Sequence, residues 1–171
     1  MDGASPIDVL DDGLDRPRYR LLIIGCGNLL RGDDAAGPIL IRRLWELATF
    51  DNDVMLADGG TSGMDVVFKM RDANRVLIVD AATTGAKPGT IYRVPGSEVE
   101  AVPEITTMGS HDFRWDNALA VGRWLLGRHM PENIDVYLIE GEQFGFGDDL
   151  SPTVRDAVEK LAHRILEKEL V

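Results

Sequence analysis

Short apolar runs alternate with segments of helical periodicity along most of this chain. Four of the runs are almost uninterrupted, which is typical of strands buried on both faces of a parallel sheet. They cover residues 21–24, 54–57, 76–79 and 134–139. A shorter fifth strand is predicted at residues 90–94, where a preceding glycine and proline turn favours a hairpin with the third strand.

Apolar residues recur at helical spacing between these runs. The spacing predicts helices at about residues 34–48, 64–70, 113–126 and 152–165. Strands that alternate with helices indicate an α/β fold. We therefore expect a three-layer sandwich, in which a mostly parallel twisted sheet of about five strands carries helices on both faces.

The N-terminal segment has a different composition. Residues 1–17 contain five aspartates and show little periodicity, so they cannot bury enough apolar surface to offset the entropy of ordering. We predict a flexible acidic tail there. Residues 18–171 are sufficient for one well-filled core and too few for two, which predicts a single α/β domain.

The net charge of the chain narrows the range of expected binding partners. Lysine and arginine total 18 against 29 aspartate and glutamate residues, which gives a net charge of −11. This charge repels phosphate backbones and anionic lipid, so neither nucleic acid nor a membrane is expected as a partner. No apolar stretch is long enough to span a membrane, and the N-terminus lacks the features of a signal peptide. A cytoplasmic protein is therefore expected.

The cysteine and serine chemistry of the chain is limited. Cys26 is the only cysteine, which excludes an intramolecular disulfide and a cysteine-rich zinc site. Since it follows a buried strand, we interpret it as a packed small apolar residue. Ser110, His111 and Asp112 have the residue types of a hydrolase triad, but consecutive side chains point apart. Since cysteine ligands are not available, any metal would be held by carboxylate and imidazole groups.

Acidic side chains follow three of the predicted strands. The carboxyl ends of parallel strands meet at one edge of the sheet, where α/β folds place their ligand sites. The candidate functional residues at this edge are Asp33, Asp34, Asp58, Asp80 and His111. Asp34, Asp80 and His111 also have ordinary alternative roles, as a helix cap, a turn residue and a surface or capping imidazole. Together they form an oxygen and nitrogen set that suits a divalent transition metal.

The first turn also has features of a dinucleotide-binding site. Gly25 and Gly27 follow a strand, and Asp58 ends the next strand, where a ribose-binding acid would lie. However, Leu30 occupies the position of the third glycine of that motif. Two adjacent acids would also bring negative charge towards a pyrophosphate. A dinucleotide-binding domain is therefore a minor alternative.

Several motifs lie at the ends of the predicted strands and at the start of the last helix. The first is GxGNxLxxDDxxG over residues 25–37, and the second is DGGTxG over residues 58–63. The others are the strand-terminal Asp80, His111, and LSPTV over residues 150–154. In this combination the chain resembles the nickel-iron hydrogenase maturation endopeptidases.

The resemblance implies an endopeptidase that removes a C-terminal extension from the large-subunit precursor of a nickel-iron hydrogenase after nickel insertion. The implied metal-contacting and catalytic residues are Asp34, Asp80 and His111. The first is often glutamate in relatives, and because Asp34 is one methylene shorter, Asp33 is kept as a substitute ligand. Nickel is expected to be presented by the substrate, and no organic cofactor is expected.

Two further expectations concern the substrate and the chemistry. The glycine-rich stretch after the second strand is the candidate for substrate recognition, through Asp58, Gly59, Gly60, Thr61 and Gly63. Catalysis is expected either from water activated by the metal or from an aspartate that acts as general base. The alternative function is a metal-dependent chaperone that binds the large subunit without cutting it.

Overall fold

The computed structural model describes residues 19–99 and 115–170. This part of the chain forms a five-stranded sheet. The strands are β1 (Tyr19–Cys26), β2 (Val54–Gly60), β3 (Ala73–Ala82), β4 (Ile91–Pro95) and β5 (Asn133–Glu140). Their order in the sheet is β2-β1-β3-β5-β4, and all neighbours are parallel except β4 and β5. The predicted tail at residues 1–17 lies outside the described residues.

In the part of the chain that the structure describes, four α-helices cover the sheet. They are α1 (Ala36–Leu47), α2 (Gly63–Met70), α3 (Trp115–Leu126) and α4 (Pro152–Lys168), and short 3-10 helices lie at Gly32–Ala35 and Gly127–His129. Within the described residues, none of these helices has the length and apolar composition needed to cross a membrane. The predicted α/β fold with a mostly parallel sheet is confirmed.

The central strands are apolar throughout because helices pack on both of their faces. Leu22 and Ile24 of β1 belong to the core formed with α2 and α3. Leu21 and Ile23 belong to the core on the other face, formed with α1 and α4. Alternate side chains of a strand point to opposite faces, so an uninterrupted apolar run supplies both cores. This confirms the three-layer arrangement.

The predicted hairpin between the third and fourth strands is wrong. β5 lies between them, and it pairs with β3 in parallel and with β4 in antiparallel orientation. β5 is buried over most of its length, whereas β4 is only partly covered. β4 also ends in Pro95, which has no N–H to donate to a further strand. Both features suit β4 to the edge of the sheet.

Helix α1 begins two residues later than predicted, after the 3-10 turn at Gly32–Ala35. Its first turn packs directly on the end of β1. A β-carbon on Gly25 would lie 2.2 Å from the carbonyl oxygen of Gly37, and one on Gly37 would lie 2.3 Å from that of Cys26. This close approach needs glycine on both elements, and it places the 3-10 turn at the carboxyl edge of the sheet.

We expect Gly37→Ala to lower the free energy of unfolding by about 3 kcal/mol, because the added methyl group would overlap backbone atoms that cannot move aside. The measurement is urea denaturation followed by circular dichroism. Gly122→Ala is the control, since its methyl group would meet only methionine side chains at 3.3 Å or more. If both variants unfold like the wild type, the close packing of α1 on β1 is wrong.

Candidate functional site

Three of the predicted acidic residues converge near the end of β1. Burial raises the pKa of the Cys26 thiol, and the negative charges of Asp80, Asp58 and Asp34 raise it further. All three carboxylates therefore lie close enough to this thiol to act on it electrostatically. Cys26 itself is buried, which agrees with its interpretation as a packed residue and argues against a thiolate ligand.

Asp34 is a buried carboxylate with one unpaired oxygen. Its side chain lies in the 3-10 turn and is 1% exposed. Oδ2 accepts a hydrogen bond from the backbone N–H of Asn28 at 3.1 Å. Among the described residues, Oδ1 is buried without a hydrogen-bond partner. Such an oxygen is unfavourable unless a proton, a metal or another donor meets it.

The ionisation of Asp34 reflects this environment. Burial raises its pKa from 3.8 to about 6, against the opposing effects of the Asn28 N–H and the positive charge of Arg31. Buried carboxylates with raised pKa values are typical of functional sites. Asp34 is therefore the described side chain best suited to meet an external cation.

Asp33 has the opposite character, although it is the adjacent residue. Its Oδ2 accepts hydrogen bonds from the N–H groups of Glu142 and Gln143 at 2.9 and 3.0 Å and from the Ser151 hydroxyl at 3.0 Å. Its Oδ1 accepts from the Ser151 N–H at 2.7 Å. With four donors, this carboxylate holds the β5–α4 loop, and the arrangement does not favour it as a substitute metal ligand.

Asp80 lies near the end of β3 and is 5% exposed. Its Oδ1 accepts a hydrogen bond from the N–H of Ala81 at 2.8 Å. Within the described residues, no group of three histidine, cysteine, aspartate or glutamate side chains is placed to hold a metal ion. His111, the third implied ligand, lies outside the described residues, and so do Ser110 and Asp112.

The glycine-rich stretch was predicted to follow the second strand, but its first residues belong to that strand, since β2 continues through Gly60. Exposed Asp58 accepts a hydrogen bond from the Gly60 N–H at 2.9 Å. The Gly60 carbonyl in turn accepts from the N–H of Gly27 at 2.8 Å. Thr61 is exposed and Gly63 opens α2. These bonds attach the stretch to the turn that carries Asp34.

A buried glutamate at the same edge was not among the site residues predicted from the sequence. Glu140, the last residue of β5, is 1% exposed. Its carboxylate accepts hydrogen bonds from the N–H and hydroxyl groups of Thr84, both at 2.8 Å, and from the N–H of Gly85 at 3.1 Å. It therefore orders the segment that follows Asp80. The available signal was an acid at the end of a buried strand, the same signal that identified Asp80.

The glycines of the first turn do not form a phosphate cradle. A β-carbon on Gly27 would lie 1.8 Å from the carbonyl oxygen of Asp34. The close approach that requires glycine here is therefore made by the protein's own backbone. Asp33 and Asp34 occupy the turn before α1, where a pyrophosphate would bind in a dinucleotide site.

The chain is similar in sequence and in fold to hydrogenase maturation proteins. Residues 38–168 match the family model HycI, described as hydrogenase maturation protease. The hydrogenase expression/formation protein HupM of Azotobacter chroococcum mcd 1 is 32% identical over 139 residues, covering 81% of this chain and 66% of that protein. HupD of Thiocapsa roseopersicina is 29% identical over 147 residues, covering 86% and 66%. The chain thus spans slightly less than two thirds of these two relatives.

Solved structures show the same architecture. The hydrogenase maturating endopeptidase HybD from E. coli superimposes with a TM-score of 0.75 and 26% identity, covering 87% of this chain and 91% of that one. The hydrogenase maturation protease HycI from Thermococcus kodakarensis KOD1 shares the fold, with a TM-score of 0.72 and 24% identity over 88% and 92% of the two chains.

We expect Asp33→Ala to lower the free energy of unfolding by more than about 3 kcal/mol, because it leaves several buried or half-buried donors without their acceptor. Thermal and urea unfolding measure the change. Asp156→Ala, which removes an exposed acid from α4, is the control and is expected to change stability by less than about 0.5 kcal/mol. Equal stability of the two variants would contradict the structural role of Asp33.

Asp34→Asn is expected to stabilise the protein at pH 7.5. Since the pKa of Asp34 is raised to about 6, the folded state binds this proton more tightly than the unfolded chain does. Stability is therefore lost as pH rises through the interval from 3.8 to 6, and the loss is complete above it. The gain from the uncharged amide is about 1–3 kcal/mol at pH 7.5 and disappears near pH 4. Melting temperatures in the presence of a chelator test this, and a pH-independent difference would refute it.

Proposed function

The chain belongs to the hydrogenase maturation protease family, a family of peptidases, and we propose that it removes the C-terminal extension from the large-subunit precursor of a nickel-iron hydrogenase after nickel insertion. The observation that supports this most directly is the buried Asp34 carboxylate with its unpaired Oδ1. An enzyme that responds to a metal in its substrate needs such a group at the edge of its ligand site. Family membership also sets aside the dinucleotide-binding alternative.

In this proposal nickel belongs to the substrate, and Asp34, Asp80 and His111 contact it. Carboxylate and imidazole are suitable ligands for divalent nickel. Cys26 does not take part, because its thiol is buried and its raised pKa keeps it protonated. Three such ligands bind free nickel only weakly, so the metal site is complete only when the substrate supplies its own ligands. Cleavage then depends on prior metal loading.

Two mechanisms of cleavage are compatible with this site. Nickel in the substrate would polarise the scissile carbonyl or lower the pKa of a bound water. Alternatively, Asp34 takes a proton from water while the metal serves recognition. A carboxylate with a pKa of about 6 is a stronger base than an ordinary aspartate and is still ionised near neutral pH. The Asn28 N–H holds Oδ2 and leaves Oδ1 for that role.

Substrate recognition is proposed for the stretch formed by Asp58, Gly59, Gly60, Thr61 and Gly63. It borders the Asp34 turn through the bond between Gly60 and Gly27. Exposed Asp58 and Thr61 present polar groups there. A β-carbon on half-buried Gly60 would meet nothing within 4 Å, so its backbone is open to an extended peptide. Like Asp34 and Asp80, Asp58 lies close enough to the Cys26 thiol to raise its pKa.

We expect Asp34→Ala, Asp80→Ala and His111→Ala each to slow cleavage of nickel-loaded precursor by about 100-fold or more. Mass spectrometry of the precursor after incubation measures the reaction, and circular dichroism checks that each variant is folded. Asp53→Ala is the control, because Asp53 is an exposed acid that precedes β2 at the opposite edge of the sheet. Full activity of any of the three site variants would refute its assignment.

The same assay without nickel tests the metal dependence. Nickel-free precursor is expected to stay uncut by the wild-type protein, since the metal site would then lack its central ion. Equal cleavage with and without nickel would contradict recognition through the metal. A precursor that is bound but never shortened in either sample would instead identify a chaperone that does not cut.

A further inference from the structure

Three large apolar side chains are exposed on the two loops that border Asp34. Leu29 and Leu30 on the β1–α1 loop are 37% and 59% exposed, and Phe146 on the β5–α4 loop is 80% exposed. The other large apolar side chains exposed in the described part of the chain lie on α1, α2 and α3, away from these loops. Apolar side chains that cluster beside a functional site and contribute nothing to the core mark an interaction surface.

Backbone hydrogen bonds join the two loops. The N–H of Gly147 donates to the carbonyl of Leu30 at 2.8 Å, and the N–H of Gly32 donates to the carbonyl of Asp148 at 3.1 Å. The N–H of Asp33 donates to the carbonyl of Gln143 at 2.8 Å. Leu30 and Phe146 are therefore neighbours on one ordered surface, although they lie far apart in the sequence.

This surface is connected directly to the candidate catalytic carboxylate. The N–H of Leu30 donates to Oδ1 of Asn28 at 2.9 Å. The N–H of Asn28 donates to Oδ2 of Asp34 at 3.1 Å. A peptide seated on Leu30 therefore lies two residues along the chain from Asn28, whose N–H holds Asp34 in place.

The charge around these apolar side chains is mainly negative. Glu142, Asp148 and Asp149 are exposed on the β5–α4 loop, while Arg31 on the β1–α1 loop is half-buried. A partner that covers the apolar groups must also meet these acids, so positive charge on the partner strengthens the contact. A second copy of this chain would instead bring the same acids together.

We propose that Leu29, Leu30 and Phe146 form the docking surface for a segment of the large-subunit precursor next to the scissile bond, and that this segment is apolar and carries positive charge. The inference rests on the proposed function and adds to it the chemistry of the segment that binds. The apolar side chains supply affinity, the acids of the β5–α4 loop select a basic sequence, and the Asn28 contact places the bound segment beside Asp34.

The test compares steady-state cleavage of nickel-loaded precursor by the wild type and by Leu30→Ser and Phe146→Ser. Loss of an apolar contact in substrate binding is expected to raise KM about tenfold for each variant and to leave kcat within about twofold. Asp148→Lys combined with Asp149→Lys is expected to raise KM and to weaken its dependence on salt, because the attractive charges are reversed.

Trp45→Ser and Trp124→Ser are the matched controls. Both tryptophans are more than half exposed, at 55% and 68%, but they lie near the C-terminal ends of α1 and α3, at the opposite edge of the sheet. The KM of each tryptophan variant is expected to equal that of the wild type. Melting temperatures show whether every variant is folded.

The outcomes separate the two proposals. If the wild type shortens the precursor and the Leu30 and Phe146 variants keep its KM, the docking surface is wrong and the proposed function stands. If the two tryptophan variants raise KM as much as the loop variants, the effect is not specific to this surface. If the wild type leaves nickel-loaded precursor uncut, the proposed function fails, and the docking surface fails with it.

Discussion

The carboxylate of Asp33 joins segments of the chain that are 118 residues apart. A buried carboxylate is stable only if donors replace the water it has lost, and here Glu142, Gln143 and Ser151 supply them. The loop amides in turn need an acceptor, so the carboxylate and the loop stabilise each other. The turn after β1 and the loop after β5 therefore form one unit. Both the position of Asp34 and the exposed apolar surface beside it depend on this unit.

Two adjacent acids have opposite roles in this arrangement. Asp33 accepts four hydrogen bonds, whereas Asp34 accepts one and keeps a buried oxygen without a partner among the described residues. The stability that Asp33 contributes offsets the unfavourable burial of its neighbour. Proteins commonly retain a locally unfavourable group where function requires it. In the proposed reaction that group is available to a cation that the substrate brings.

The proposed reaction and the proposed docking surface place two requirements on one substrate. The metal must be present to meet Asp34, and the adjoining segment must be apolar and basic to cover Leu30 and Phe146. A bound segment contacts the backbone that Asn28 links to Asp34. In these two proposals, peptide binding and metal recognition lie in the same turn, which would restrict cleavage to a loaded precursor.

The sequence by itself determined the strands, the helices, the α/β class and the acids at the carboxyl edge, because apolar periodicity and turn composition are local properties. The resemblance in the motifs around Asp34 and Asp58 identified the family. Tertiary structure decided that β5 separates β3 from β4, that β2 continues through Gly60, and which of two adjacent acids is paired. Strand neighbours and hydrogen-bond partners of this kind lie far apart in sequence, so they depend on how the layers pack. For that reason the pattern Asp33-Asp34 drew attention to this turn, and only the fold showed that Asp33 is fully hydrogen-bonded while Asp34 keeps a buried oxygen without a partner among the described residues.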